Sequence, residues 1–196
     1  MKKVIFLAII IIASGFGLVL TQHMYVMDKN HSRLGFSATH LGISHVDGNF
    51  KNFEAKLNFS KEDLSDAVIE MTAEAKSIDT DVEMRDNDLR SSNFFDVTKY
   101  PTIEFKSTSF KKMEANKYTL AGNITIHGVT KPITFDVTYN GKIVHPMSKK
   151  NVMGFTLTGK LNRKDFHVGS GATSLAIGDE IELSSNVEFI DSGLSL

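Results

Sequence analysis

The chain has no cysteine and no tryptophan among its 196 residues. Without cysteine there is no disulfide, no thiolate to hold a metal and no cysteine to carry a lipid. Without tryptophan the aromatic inventory is 14 Phe and 4 Tyr. Phe is favoured where an apolar lining is wanted and no polar handle is needed. An excess of either charge is also missing: 22 Lys+Arg stand against 23 Asp+Glu, and leaving out residues 1–21, with Lys2 and Lys3, moves the net charge from −1 to −3. From the sequence alone no basic face or Arg-rich strand emerges, so no nucleic-acid partner is expected. There is no internal repeat, no low-complexity segment and no alternation of strand and helix patterns.

What is present begins with one long apolar run. Met1-Lys2-Lys3 leads into Val4 to Leu20, the basic start and hydrophobic stretch of a secretory signal. Ser14-Gly15-Phe16-Gly17 interrupts the run and no clean Ala-x-Ala site follows; the candidate cleavage positions are Ala13-Ser14-Gly15 and, further on, Thr21 or Gln22. At 17 residues the run is also on the border of spanning a bilayer, so retention as an anchor stays open. The expected organisation is a signal segment or uncleaved anchor over 1–21 and one domain over 22–196. The expected location is periplasmic or otherwise exported, with membrane tethering if the run is retained.

From residue 34 on, the pattern is mostly period two. Leu34, Phe36, Ala38 and His40 form one face, and Ile69, Met71, Ala73 and Ala75 another. Tyr118 to Ile126, Ile133 to Tyr139, Met153 to Leu161 and Ile181 to Phe189 repeat the apolar-in, polar-out alternation. Between Val46 and Phe59 the parity slips, which predicts a β-bulge at Lys51-Asn52. His127-Gly128-Val129-Thr130-Lys131-Pro132 reads as a tight hairpin turn and Asn140-Gly141 as a second turn. Ser60 to Ser65 suggests one helical turn capped by Ser60. Seven or eight alternating strands and one helix make an antiparallel barrel or sandwich.

The exception is Met84 to Asp96, where Arg85, Asp86, Asp88 and Arg90 run into Phe94-Phe95-Asp96 before Tyr100-Pro101. So many charges are not buried without partners, and a solvated helix has no use for the Phe pair. The spacing predicts a short helix across an opening, charged above and plugging an apolar interior with Phe94 and Phe95.

Several ordered motifs then resemble those of a known family. They are Tyr25-x-x-Asp28-x-x-His31-Ser32, His40-Leu41-Gly42-Ile43-Ser44-x-Val46-x-Gly48-x-Phe50 and Ser77-Ile78-x-Thr80. Arg85-Asp86-x-x-Leu89-Arg90-Ser91-x-x-Phe94-Phe95-Asp96, Tyr100-Pro101-x-Ile103-x-Phe105, Ile126-His127-Gly128-Val129-Thr130 and Asn162-Arg163-x-Asp165-Phe166 follow. Across residues 25–190 the chain resembles the YceI-like family of exported lipid-binding proteins. The resemblance implies an all-β fold: an eight-stranded, antiparallel, lipocalin-like barrel with a short helical lid. It also implies an interior that takes a polyisoprenoid or similar long-chain amphiphile. His167 stands where the family usually carries Gly.

The candidate apolar lining is Phe36, Phe50, Phe94, Phe95, Phe105, Ile124, Phe135, Phe155 and Leu157. The candidate lid or head-group residues are His40, Arg85, Asp86, Arg90 and His127. Arg85, Asp86 and Arg90 are expected to pair locally, with Arg90 on Asp86; the sharper alternative puts Arg85 or Arg90 on a diphosphate head group. His31, His40, His45 and His127 lack tight ligand spacing, so no metal site and no cofactor is expected. No Gly-x-Ser-x-Gly occurs and Ser44-His45 is adjacency only, so no catalytic residue is assigned. The expected function is lipid carriage, for transport, storage or stress response. A fatty-acid or fatty-amide barrel, or an enzyme acting on an isoprenoid, are the alternatives, and transient membrane contact or a homodimer stay open as partners.

Overall fold

The computed structural model describes residues 21–195, so the signal or anchor segment proposed for 1–21 lies almost entirely outside the described residues. Eleven strands follow in order: β1 His23–Met27, β2 Arg33–His40, β3 Ser44–Phe50, β4 Phe53–Phe59, β5 Val68–Glu74, β6 Ile78–Asp79, β7 Thr102–Glu114, β8 Lys117–Ile126, β9 Val129–Val144, β10 Asn151–Asn162 and β11 Ile177–Ser195. The only α-helix among the described residues is α1, Glu83–Arg90.

The eleven strands make eight staves. β1 and β2 both pair with β11, at 189–195 and 177–186, and so are two halves of one broken stave. β4 lies against β1 and β3 against β2, and the pairing continues from β4 to β5 and from β3 to β6. β7 to β11 then run as a meander, and the β1–β11 contact closes the wall. The result is an eight-stranded closed antiparallel barrel, with the alternating residues of each stave turned inward as the period-two pattern requires.

The breaks have local causes. At Lys51-Asn52, Lys51 N–H donates to Ser77 O at 3.0 Å, Asn52 N–H donates to Ser77 Oγ at 3.0 Å, and Asn52 O accepts from Glu74 N–H at 2.9 Å. The bulge expected there is therefore fastened to the 3-10 turn Ala75–Ser77. At the β1–β2 corner, Asp28 accepts from Asn30 N–H at 2.9 Å and pairs with His31 Nδ1 at 2.8 Å, while Ser32 Oγ accepts from Glu188 N–H. That is what the Tyr25-x-x-Asp28-x-x-His31-Ser32 motif does: it turns a stave without releasing it from β11.

Two turn assignments are corrected. Ser60–Ser65 is not a helical turn; Asp66, rather than Ser60, caps the segment by accepting from Ser60 and Lys61 N–H, and Leu64 folds inward at φ 61°. Asn140-Gly141 is not a chain reversal. Gly141, at φ 120°, lets Asn140 bulge out of the β9–β10 ladder, and the chain turns only at 145–150. The tight turn at His127-Gly128 does form, with φ of 52° and 75°, and β9 starts at once with Val129.

One end, the base, is closed by rings. Phe110 stacks on Tyr118 at 4.7 Å, Tyr139 meets Phe155 at 5.1 Å, and Tyr25 stacks on Phe59 at 5.4 Å. Leu64, 2% exposed, caps this floor. Both described termini lie at the base. The other end, the mouth, holds the β2–β3 turn, the lid, the β8–β9 turn and the β10–β11 loop.

Candidate functional site

Between aromatic floor and lid lies a cavity of about 210 Å³ whose wall is almost wholly apolar. All nine residues read as lining (Phe36, Phe50, Phe94, Phe95, Phe105, Ile124, Phe135, Phe155 and Leu157) stand on its wall. Strand parity explains most of this, since every second residue of an eight-stranded barrel faces in. Others on the wall were not singled out: Leu34, Phe53, Met71, Leu89, Ile103, Phe166, Val168 and Leu183. Several are reachable by extending the same parity. Phe110 is not, because a bulge between Ser107 and Ser109 shifts the register of β7.

The lid is α1 with the turns that follow. Phe95 N–H donates to Leu89 O and Val97 N–H to Arg90 O, folding the Phe pair beneath the helix. Phe95 meets Phe50 edge-on at 5.7 Å, and Phe50 in turn meets Phe36 at 5.8 Å. Phe94 lies over Gly169, where an added Cβ would fall 2.5 Å from the ring. Through these rings the lid touches β3 and the β10–β11 loop.

Its charges are spent on anchoring. Asp86, 3% exposed, accepts from Thr80 N–H at 2.9 Å and Thr80 Oγ1 at 2.6 Å. Arg85 Nε donates to the same Thr80 Oγ1 at 2.7 Å, and its Nη2 donates to Thr80 O at 2.7 Å. The Ser77-Ile78-x-Thr80 motif is the post to which Arg85 and Asp86 tie the helix. Arg90 does not pair with Asp86, because the buried carboxylate is already committed to Thr80. Instead it donates to Lys76 O and Ile78 O at 2.9 Å and pairs with Glu83 at 3.2 Å.

The two histidines divide. His127 Nδ1 sits 3.2 Å from Phe166 O and its ring lies 4.3 Å from that of Tyr100, so it joins the lid's far end to the β10–β11 loop. His40 is exposed at the end of β2. Neither lines the cavity, nor do Arg85, Asp86 and Arg90. On the outer wall, Asp28, His31 and Glu188 bring donor atoms within 4.8 Å of one another. His31 holds the Asp28 carboxyl below its ordinary range, and Asp28 holds the His31 imidazole above its own.

The residue that sequence reading missed is Arg163, 3% exposed and on the cavity wall. Its Nε donates to Gly178 O, Nη1 to Val168 O and Gly169 O, and Nη2 to Ala172 O, Ile177 O and Asp179 Oδ1. One guanidinium therefore satisfies the carbonyls of a loop that covers the mouth. Asn162 accepts from Lys164 N–H and starts the 3-10 turn, and His167 ends it at φ 59°, the left-handed position that favours Gly. The signal for Arg163 was its place inside the Asn162-Arg163-x-Asp165-Phe166 motif.

With this geometry in place, the chain can be set beside known proteins. A family model described as a YceI-like domain matches residues 25–189. Protein YceI of Salmonella arizonae is 36% identical over 167 residues, covering 84% of this chain and 85% of that protein. The crystal structure of Burkholderia cenocepacia BcnA has a TM-score of 0.75 at 22% identity, covering 83% of this chain and 98% of the other. A polyisoprenoid binding domain from Saccharophagus degradans has a TM-score of 0.61 at 12% identity, covering 85% and 98%. These two share the fold, and the extent and identity of the first two matches carry more: the chain belongs to the YceI-like family.

Proposed function

We propose that the protein is a non-enzymatic exported carrier that encloses the apolar chain of an isoprenoid or similar amphiphile. The observation that carries this reading is a cavity inside the barrel, walled by Phe and aliphatic side chains, with a lid of its own. Burial of a chain there is favourable by ~0.8 kcal/mol per methylene before ordering costs. The Saccharophagus domain, described as polyisoprenoid-binding, supports the ligand class.

Among the described lining residues Arg163 is the sole ionisable one, and all five of its N–H groups are engaged. The interior thus offers neither nucleophile with base nor convergent carboxylates, which supports binding over catalysis. It also offers no free charge to a head group, so the head belongs at or outside the mouth. The volume favours a second, narrower class. About 210 Å³ exceeds the ~150 Å³ that accommodates benzene but falls below the ~300–1,000 Å³ of common ligand sites. A single fatty acyl or fatty amide chain fits that space with less displacement of Phe36 and Phe95 than a polyprenyl chain.

The test is titration of fluorescent polyprenyl and acyl analogues into delipidated wild type and Leu157→Trp, whose ring fills the void. Saturable one-to-one binding in wild type, lost in Leu157→Trp, is expected. Equal binding in both would place the ligand outside the barrel.

A further inference from the structure

The two ends of the barrel differ in charge. At the mouth, residues 79–90 carry five acids (Asp79, Asp81, Glu83, Asp86, Asp88) against Arg85 and Arg90. At the base, the hairpin tips 111–117 and 142–150 carry six lysines (Lys111, Lys112, Lys117, Lys142, Lys149, Lys150) against Glu114 alone. All six lysines are exposed. Among the described residues only Lys142 has a carboxylate within reach, Glu62 at 4.0 Å. The adjoining turn 60–67 is acidic, yet with its Lys61, Glu62, Asp63 and Asp66 counted the base keeps a surplus of three positive charges.

Apolar side chains stand among these lysines. Met113 is 68% exposed, Ile143 63%, Val144 61% and Met147 87%. The two tips are one surface: Tyr139 N–H donates to Asn116 O at 2.8 Å, and Asn116 Nδ2 donates to Tyr139 O at 3.2 Å. Lysines rimming exposed aliphatic side chains is the chemistry of an interface with an anionic bilayer. The chain's own course points the same way. β1 begins at the base with His23, and the apolar run Val4 to Leu20 ends three residues earlier, at most ~10 Å away along the chain.

We propose that the base of the barrel, not its mouth, is the membrane-facing end: the lysine-rimmed tips of the β7–β8 and β9–β10 hairpins dock on an anionic lipid bilayer. The lid then opens away from the surface that holds the protein. The mouth also exposes apolar side chains (Leu41, Ile43, Val82, Met84 and Leu175), so charge is what separates the two ends: the acid surplus of the mouth opposes an anionic membrane.

Because the chain has no cysteine, single probes can be placed at will. The full-length chain, carrying an environment-sensitive fluorophore on Met147→Cys or Ile43→Cys, is added to vesicles of phosphatidylglycerol and phosphatidylcholine or of phosphatidylcholine alone. The Met147→Cys probe should enter the bilayer on the anionic vesicles, while the Ile43→Cys probe stays in water. Raising salt from ~0.1 M to ~1 M should reverse the entry, as the Debye length drops about threefold. Lys149→Ala with Lys150→Ala should weaken docking roughly thirtyfold, from ~1 kcal/mol for each lysine. Entry of the Ile43→Cys probe, both probes in water, or a Met147→Cys signal indifferent to lipid charge, salt and these lysines would each overturn the proposal.

Discussion

Arg163 shows how one side chain can hold a mouth together. Its planar fork serves five carbonyls and Asp179 at once, a task that Lys, a point charge with three donors, cannot copy. Arg163→Met should therefore cost ~3–5 kcal/mol in chemical denaturation, because buried carbonyls lose their only side-chain donor. Arg163→Lys should recover little of it; near-wild-type stability in the lysine variant would remove the fork from the explanation. Phe95 is the opposite case. It is part-exposed and faces the cavity on one side, so Phe95→Ala should lose less than the ~3–5 kcal/mol of a fully packed Phe while speeding ligand exchange. Stopped-flow release of a fluorescent polyprenyl analogue measures this, and equal rates in both proteins would deny Arg85–Asp96 the role of a lid. Arg90→Ala should weaken charged-head and neutral-head analogues alike, since its donors reach Lys76 O, Ile78 O and Glu83 rather than the cavity.

Elements are where the sequence was legible, and where it stopped being so. Period-two patterning located most staves, and the parity slip located the β3–β4 bulge, because a one-residue shift changes which face is apolar. Asn140-Gly141 misled for a related reason: a positive-φ Gly serves a bulge as well as a turn, and only the partner strand distinguishes them. Arg163 and the Thr80 post stayed hidden because their partners are main-chain carbonyls and loop residues that leave no periodic trace. The apolar site was legible as a face; the polar framework around it was not. At Gly48 the two layers meet. An added Cβ would lie 2.4 Å from the Phe36 ring and 2.8 Å from the Thr80 methyl, so Gly48→Ala should lower stability and loosen the lid together. Faster hydrogen exchange across 80–97 is the expected reading.

The β1–β2 corner gives a pH dependence with a definite sign. Asp28 titrates below its ordinary 3.8 and His31 above its ordinary 6.5 when folded, each because of the other. Their contribution is complete between those values. It is lost as pH rises through the raised value of His31, and lost again as pH falls through the depressed value of Asp28. The gap in melting temperature between wild type and His31→Ala should be widest near about pH 5 and shrink toward about pH 9. A gap that widens with alkaline pH would mean the neutral imidazole is the form that holds the corner.

The whole molecule is a barrel floored by rings at one end and covered by a lid at the other. β8, with ten residues, gives a wall on the order of 25 Å tall at ~3.3 Å per residue and a tilt near ~40°. The aromatic floor ends the cavity at the base, with Phe110 and Phe155 on its wall. Affinity should accordingly level off with chain length, longer chains either displacing Phe36 and Phe95 or protruding; a steep rise beyond the wall height would contradict this. The central claim is that the interior holds an apolar chain in life. Its most direct measurement is mass spectrometry of lipid extracted from the protein purified, without detergent, from a bacterial host. A long-chain amphiphile present at near one equivalent, and absent from Leu157→Trp prepared in parallel, is the expected result. A barrel that emerges empty and stays empty after incubation with polyprenyl and fatty acyl lipids would contradict the account.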